Sequence, residues 1–127
     1  MPRFAVLAAT LITLGAGTAY AGDTLLYSPM LSAPVGGWLE CHATNVGKKP
    51  LAQVYMAMFG SGGSSGHLCY DLPPQSSSGF DATCSETRTG SAVCVVTITG
   101  GSHRSVRAVL NVVDSSGATI LSVPATK

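Results

Sequence analysis

The chain has 127 residues, with seven Lys or Arg side chains against six Asp or Glu, which gives a formal net charge of +1. This length predicts one domain. Only 10% of the residues are charged, and Lys48 and Lys49 form the one basic pair, which suits a solvated turn. Nucleic acids and anionic membranes are bound by clustered Lys and Arg, so the composition excludes nucleic acid as an expected partner.

The N-terminus has the layout of a secretory signal peptide. Arg3 supplies a positive charge, residues 4–17 form an uncharged apolar segment, and an A-x-A cleavage signature ends at Ala21. The apolar segment is too short to span a bilayer, which disfavours the alternative of a retained membrane anchor. We expect cleavage to separate residues 1–21 from a single mature domain, residues 22–127. That domain would be periplasmic or secreted, without membrane insertion after cleavage.

The first half of the mature chain contains short alternating or apolar segments separated by turn residues, a pattern typical of β structure. The predicted strands are residues 24–28, 38–45 and 51–59, with turns at 34–37 and 46–50. The second strand alternates cleanly. Its inward residues are Leu39, Cys41 and Ala43, and its outward residues are Glu40, His42 and Thr44. The third strand is apolar on both faces, which indicates a central position in a sheet.

The middle of the chain is interrupted by two Gly- and Ser-rich segments. Residues 60–66 (GSGGSSG) predict a mobile loop with fast amide exchange, and residues 73–79 (PPQSSSG) predict a second loop. Weaker strand signals occupy residues 67–72 and 80–85. We therefore expect two short strands here, flanked by flexible connections.

The C-terminal third carries the strongest β pattern, because β-branched residues dominate it. A turn at residues 87–91 precedes a strand at 92–99, and a hairpin joins strands 105–113 and 118–123 through a turn at 114–117. The chain thus predicts seven to eight strands. The fold class is all-β, a disulfide-stapled antiparallel β-sandwich of two sheets and of immunoglobulin-like type.

Four cysteines in an exported chain predict disulfide bonds, and three connectivities are possible. We favour Cys41–Cys94, since each of the two shares a strand face with apolar residues and the bond would cross the core. Cys69 and Cys84 flank the second loop and would then pair as neighbours. The main rival joins Cys84 to Cys94 across the turn at 87–91 and leaves Cys41 for Cys69.

Several short motifs resemble a group of small exported bacterial proteins with no assigned activity. They are LYSP at 26–29, Cys-x-x-x-Asn at 41–45, a cysteine that opens a β-branched strand at Cys94, VRAVLNVVDSSG at 106–117 and VPA at 123–125. The resemblance covers most of the mature chain and implies a small β-sandwich. It carries no catalytic residues over to this chain.

Candidate catalytic and metal-binding residues lack the spacing that their chemistry requires. The segment GGSSG at 62–66 matches a nucleophile elbow with Ser64 at its centre, but the elbow needs a following helix that the sequence does not predict. His42, His67 and His103 form no paired metal-ligand spacing, and oxidised cysteines are no longer thiolate ligands. A Ser–His–acid group assembled from distant residues stays an open alternative.

A few large side chains have two interpretations. Met56 and Met58 lie on a core-like strand and are interpreted as packing rather than as copper ligands. Trp38 falls on the outward face of its strand, where it could anchor a sugar or a protein. We favour the alternative that Trp38 packs under the N-terminal strand or a loop.

The sequence thus favours an exported, non-enzymatic β-sandwich module with a structural or binding role, without a cofactor and with an unknown protein or glycan partner. One alternative is a fimbria-like assembly subunit completed by a strand from its partner. Another is a small secreted hydrolase or metal-binding protein, which would need a concave site with converging polar groups.

Overall fold

The computed structural model describes residues 23–76 and 82–127. The predicted signal peptide and residues 77–81 lie outside this range. The described residues form an all-β sandwich of two antiparallel sheets, which confirms the predicted fold class. Among them, no helix is both long and apolar enough to cross a membrane.

Nine strands are present in the described part of the chain. They are β1 (Thr24–Tyr27), β2 (Leu31–Ser32), β3 (Trp38–Asn45), β4 (Leu51–Gly60), β5 (Gly63–Leu72), β6 (Thr83–Arg88), β7 (Ser91–Thr99), β8 (Val106–Val113) and β9 (Thr119–Pro124). Sheet A has the order β1-β7-β4-β5, with β2 also paired to β7, and sheet B has the order β6-β3-β8-β9. The predicted central strand, β4, lies between β7 and β5 as expected.

The core fills the space between the two sheets. Strands β3 and β7 alternate strictly between buried and half-buried residues, and Leu39, Cys41 and Ala43 of β3 are fully buried as predicted. Met56 and Met58 of β4 are also fully buried, which confirms their interpretation as core residues. Burial of such side chains contributes about 1.5–3 kcal/mol each and drives the two sheets together.

Two disulfide bonds link the sheets. Cys41 on β3 is bonded to Cys94 on β7, and Cys69 on β5 is bonded to Cys84 on β6. This is the pairing favoured from the sequence. The rival bond between Cys84 and Cys94 is not formed, because the Cys94 sulfur is bonded to Cys41 and the Cys84 sulfur to Cys69. Two disulfides indicate an oxidising, extracytoplasmic environment.

The Gly- and Ser-rich segment at 60–66 is not the loop that composition predicts. Strand β5 begins at Gly63. Every residue from Gly63 to Tyr70 is paired with a residue of β4. The prediction of a loop is therefore wrong for Gly60 and for residues 63–66, and only residues 61–62 form a turn. The physical reason is that β4 supplies a hydrogen-bond partner for the backbone of each of these residues. Backbone pairing of this kind does not need large side chains.

Several predicted boundaries also move. Strand β6 extends to Arg88 and β7 starts at Ser91, so the turn at 87–91 shortens to two residues. A 3-10 turn at His103–Ser105 delays the start of β8, and β9 includes Pro124. Pro124 is tolerated because β9 is an edge strand, where a missing N–H breaks no ladder. The ninth strand beyond the predicted number is the two-residue β2.

Backbone and polar contacts close the sandwich at the ends of the strands. The Cys94 N–H donates to the Ser28 hydroxyl at 2.8 Å, which replaces a ladder bond where β1 ends. Ala125 donates to the Ala108 carbonyl of sheet B, while Thr126 and Tyr27 exchange two backbone bonds beside sheet A. The C-terminal residues therefore join both sheets.

Candidate functional site

The outer face of sheet A is apolar and aromatic. Because side chains alternate along a strand, the register of β1, β7, β4 and β5 determines which residues share this face. They are Leu25, Tyr27, Gln53, Tyr55, Ala57, Phe59, Ser64, Gly66, Leu68, Tyr70, Val93, Val95, Thr97 and Thr99. None of them is charged. We call this set the tyrosine face.

The large side chains of the tyrosine face are open to solvent. Its three tyrosines, its phenylalanine and its two leucines are between 37% and 63% exposed. Leu25, Thr97, Tyr55 and Leu68 form one row across all four strands. A monomeric soluble protein rarely exposes a continuous apolar patch of this kind, and such patches mark contact surfaces.

The Tyr55 ring lies close to the sheet because the neighbouring position on β5 is Gly66, which has no side chain. A Cβ atom at Gly66 would lie 2.3 Å from the Tyr55 hydroxyl oxygen and 2.8 Å from its ring. No substitution is compatible with that distance unless Tyr55 moves. No side chain projects from the sheet at Gly66, and the Tyr55 ring covers the Gly66 backbone, which would otherwise be exposed to solvent.

The outer face of sheet B is different, because it is polar and carries charges. Its centre is a chain of hydrogen bonds on β3 and β6. The Trp38 indole N–H donates to Glu40 Oε2 at 2.9 Å, Glu40 Oε1 lies 3.2 Å from His42 Nε2, and His42 Nδ1 lies 2.8 Å from Ser85 Oγ. Trp38 faces outward as its register predicts. Trp38 is half-buried. Packing under the N-terminal strand is wrong, because β1 belongs to the other sheet, and packing under a loop stays a prediction.

Ser85, His42 and Glu40 are in the order of a Ser–His–acid group, yet the setting favours a structural role. His42 and Ser85 are directly opposite each other on neighbouring strands, as are Thr44 and Thr83, whose hydroxyls are 2.9 Å apart. Such cross-strand polar pairs stabilise strand pairing. A hydrolase also needs a concave site, whereas these side chains lie on the flat outside of a sheet.

A cavity among the described residues lies elsewhere. It measures about 380 Å³ and is lined by Gly47, Lys48, Lys49, Pro50, Leu51, Gly100, Gly101, Ser102 and Ser105. It contains neither a histidine nor a carboxylate. The cavity therefore does not combine with the Ser85–His42–Glu40 group to form a catalytic site.

The pKa of the Glu40 carboxyl lies below its ordinary value, mainly because the Trp38 indole donates to it and further because of His42. A lowered folded-state pKa contributes stability above the unfolded pKa, and this contribution is lost as the pH falls through the folded pKa. We expect Trp38→Phe to raise the Glu40 pKa towards its ordinary value. Carboxyl-detected NMR titration measures this change.

The same NMR spectra contain an internal control. The pKa of Asp114 is also lowered, by the Ser116 hydroxyl and by backbone donors in the hairpin turn, and Trp38 makes none of these bonds. Asp114 should titrate identically in the parent and in Trp38→Phe. A Glu40 titration that does not respond to the substitution would contradict the role assigned to the indole.

One group of metal-type ligands is found within the described residues. His67, Cys69 and Cys84 place their ligand atoms within 4.8 Å of one another. Both sulfurs are joined in the disulfide bond, so they are not thiolates and cannot hold a metal in this state. His42 and His103 lie on other elements.

The open edge of the sandwich between β5 and β6 carries polar side chains that face inward. Ser65 Oγ and Arg88 Nε are buried there and have no hydrogen-bond partner in the described part of the chain. The Arg88 guanidinium lies instead near the β4–β5 turn, 3.1 Å from the position of a Cβ at Gly62. This edge is held by the Cys69–Cys84 bond.

The sequence did not identify the tyrosine face, although it contained one signal for it. The apolar character of both faces of β4 was interpreted only as a central position. Ser64, at the centre of the GGSSG segment that matches the elbow motif, lies within strand β5 opposite Phe59. Comparison with known proteins found no matching family model, no matching curated protein and no matching solved structure.

Proposed function

We propose that this chain is an exported, non-enzymatic binding module that acts through the tyrosine face, either in the periplasm or outside the cell. The observation that carries the proposal is a four-stranded outer face with four half-exposed aromatic side chains and no charge. Aromatic side chains provide large contact areas at low entropic cost, and they dominate binding surfaces.

Three further observations support a binding role over catalysis. The polar group on sheet B is explained by strand pairing, the cavity lacks histidine and carboxylate side chains, and the metal-type cluster is consumed by a disulfide. The fold itself does not name a partner. Each inference therefore rests on surface chemistry rather than on architecture.

The export part of the proposal has independent support. The A-x-A signature at Ala21 predicts removal of residues 1–21, and two disulfide bonds require an oxidising compartment to persist. The mature protein would begin at Gly22 in the periplasm or the medium.

The test compares the parent with two lysine variants. Phe59→Lys places a charge in the tyrosine face, and Thr87→Lys places the same charge on the exposed outer side of β6. Purified mature proteins are assayed for binding to cellulose and amylose beads, to immobilised cell-envelope proteins and to immobilised parent protein. We expect the parent to bind at least one of these surfaces, Phe59→Lys to lose that binding and Thr87→Lys to keep it.

Two results would contradict the proposal. The first is a parent protein that binds none of the surfaces. The second is equal binding by the parent and both variants, because the contact would then lie outside the tyrosine face. Circular dichroism of each variant shows whether the sandwich is still folded.

A further inference from the structure

The geometry points to a second copy of this chain as the occupant of the tyrosine face, in a face-to-face dimer. This inference rests on the proposed function, since it names the partner of the same surface. Three properties of the tyrosine face support it: its area, its lack of charge and its shape.

The exposed area is sufficient for a weak dimer. Half exposure of four aromatic side chains, each with roughly 200 Å² of surface, leaves about 400 Å² of aromatic area in water. The exposed parts of Leu25 and Leu68 and the valines between them raise this to about 600 Å² per copy, so that two copies would bury about 1,200 Å². That area is at the lower end of specific interfaces, where association is weak or transient.

The charge distribution also favours a copy of the same chain. In a two-fold dimer, each residue near the axis approaches the same residue of the other copy. A charged face would therefore repel itself, whereas none of the fourteen residues that make up the tyrosine face is charged. The outer face of sheet B does not satisfy this condition, because it includes Glu40 and Arg107.

The small residues near the centre of the face suit sheet-on-sheet packing. Two sheets pack about 10 Å apart with their strands rotated by roughly 30°. Gly66 and Ala57 keep the centre of the tyrosine face low, and Tyr55 lies across Gly66. A second sheet can therefore contact the Tyr55 ring at the centre of the face and Tyr27 and Tyr70 on the outer strands.

Sedimentation velocity of the mature parent protein, from about 1 to 500 µM, tests the dimer. We expect a monomer–dimer equilibrium for the parent and for the control Thr87→Lys. Phe59→Lys should raise the dissociation constant by at least about thirtyfold, as expected for the loss of an aromatic contact. Tyr70→Lys, at a more exposed position, gives a second test if Phe59→Lys does not fold.

A further variant separates face-to-face packing from pairing along the edge of β5. Tyr27→Lys alters β1, on the other side of sheet A from β5, and it should also weaken the dimer. Association that is lost in Tyr70→Lys but unaffected in Tyr27→Lys would place the contact at the β5 edge and would overturn the proposed packing.

The outcome is distinguishable from failure of the binding role. A parent protein that stays monomeric at 500 µM but binds polysaccharide beads or an envelope protein through the tyrosine face overturns the dimer and leaves the proposed function intact. A parent that neither dimerises nor binds any of these surfaces overturns both.

Discussion

Removal of the Cys41–Cys94 disulfide should lower the free energy of unfolding by about 4 kcal/mol. The bond joins cysteines 53 residues apart in sequence, and the loop that it closes in the unfolded chain accounts for about 4 kcal/mol in the chain-entropy description. Both cysteines are fully buried, so replacement by alanine also leaves unfilled volume in the core. Small domains have a net stability of only about 5–15 kcal/mol.

The measurement is urea denaturation of the Cys41→Ala, Cys94→Ala double variant under oxidising conditions. The matched control is Cys69→Ala, Cys84→Ala, which opens a loop of 15 residues and should cost about 3 kcal/mol. Cys69 is only partly buried, so this second replacement leaves less empty core volume. A core variant as stable as the parent would contradict the prediction, and so would a larger loss in the control.

Asn45→Ala should also be strongly destabilising. We expect it to lower the free energy of unfolding by about 3 kcal/mol. The Asn45 side chain is fully buried. Its amide donates to the carbonyls of Lys49 and Leu72, each at 2.9 Å, and its Oδ1 accepts the Gly47 N–H at 3.0 Å. Each buried polar group left without a partner costs about 1–3 kcal/mol.

The Asn45 side chain fixes three segments at once, namely the end of β3, the turn at 46–50 and the end of β5. Asn111→Ala is the matched control, since Asn111 accepts a single exposed bond from Ser122 and should lose less than about 1 kcal/mol. Thermal or urea unfolding measures both variants. An equal decrease in the free energy of unfolding of the two variants would contradict the prediction that the buried hydrogen bonds of Asn45 stabilise the fold more than the exposed bond of Asn111.

The polar network also gives the Cys-x-x-x-Asn pattern at 41–45 a physical meaning. Cys41 and Asn45 both face inward on β3. The disulfide bond of Cys41 crosses the core, and the hydrogen bonds of Asn45 fix the following turn. Ser28 in the segment LYSP replaces a ladder partner for Cys94. Cys41, Asn45 and Ser28 are thus explained by the architecture of the sandwich and lie outside the tyrosine face, whereas Tyr27 of the same LYSP segment belongs to it.

The fimbria-like alternative is weakened at one edge of sheet A. There, Thr126 exchanges backbone hydrogen bonds with Tyr27, so the C-terminal residues of the chain occupy a position that a partner's strand would need. The other edge, β5, pairs only with β4. Strand addition at β5 is the arrangement that the Tyr27→Lys and Tyr70→Lys comparison tests.

The sequence by itself determined the all-β class, the inward face of β3 and the central position of β4. These features follow from local alternation and from β-branched content, which are properties of neighbouring residues. It was wrong about residues 63–66, where composition indicated a loop. A Gly- and Ser-rich segment forms a strand here because β4 provides its hydrogen-bond partners. Strand β4 lies outside the segment, so local composition does not reveal the pairing.

Only the tertiary structure decided which apolar face is covered. In sequence, the two faces of β4 look alike, since Met56 and Met58 alternate with Tyr55, Ala57 and Phe59. Packing of sheet B against one side buries the methionines and leaves the tyrosine face open. Likewise, the hydrogen bonds from Trp38 through Glu40 and His42 to Ser85 join two strands distant in sequence, so strand pairing alone brings them together.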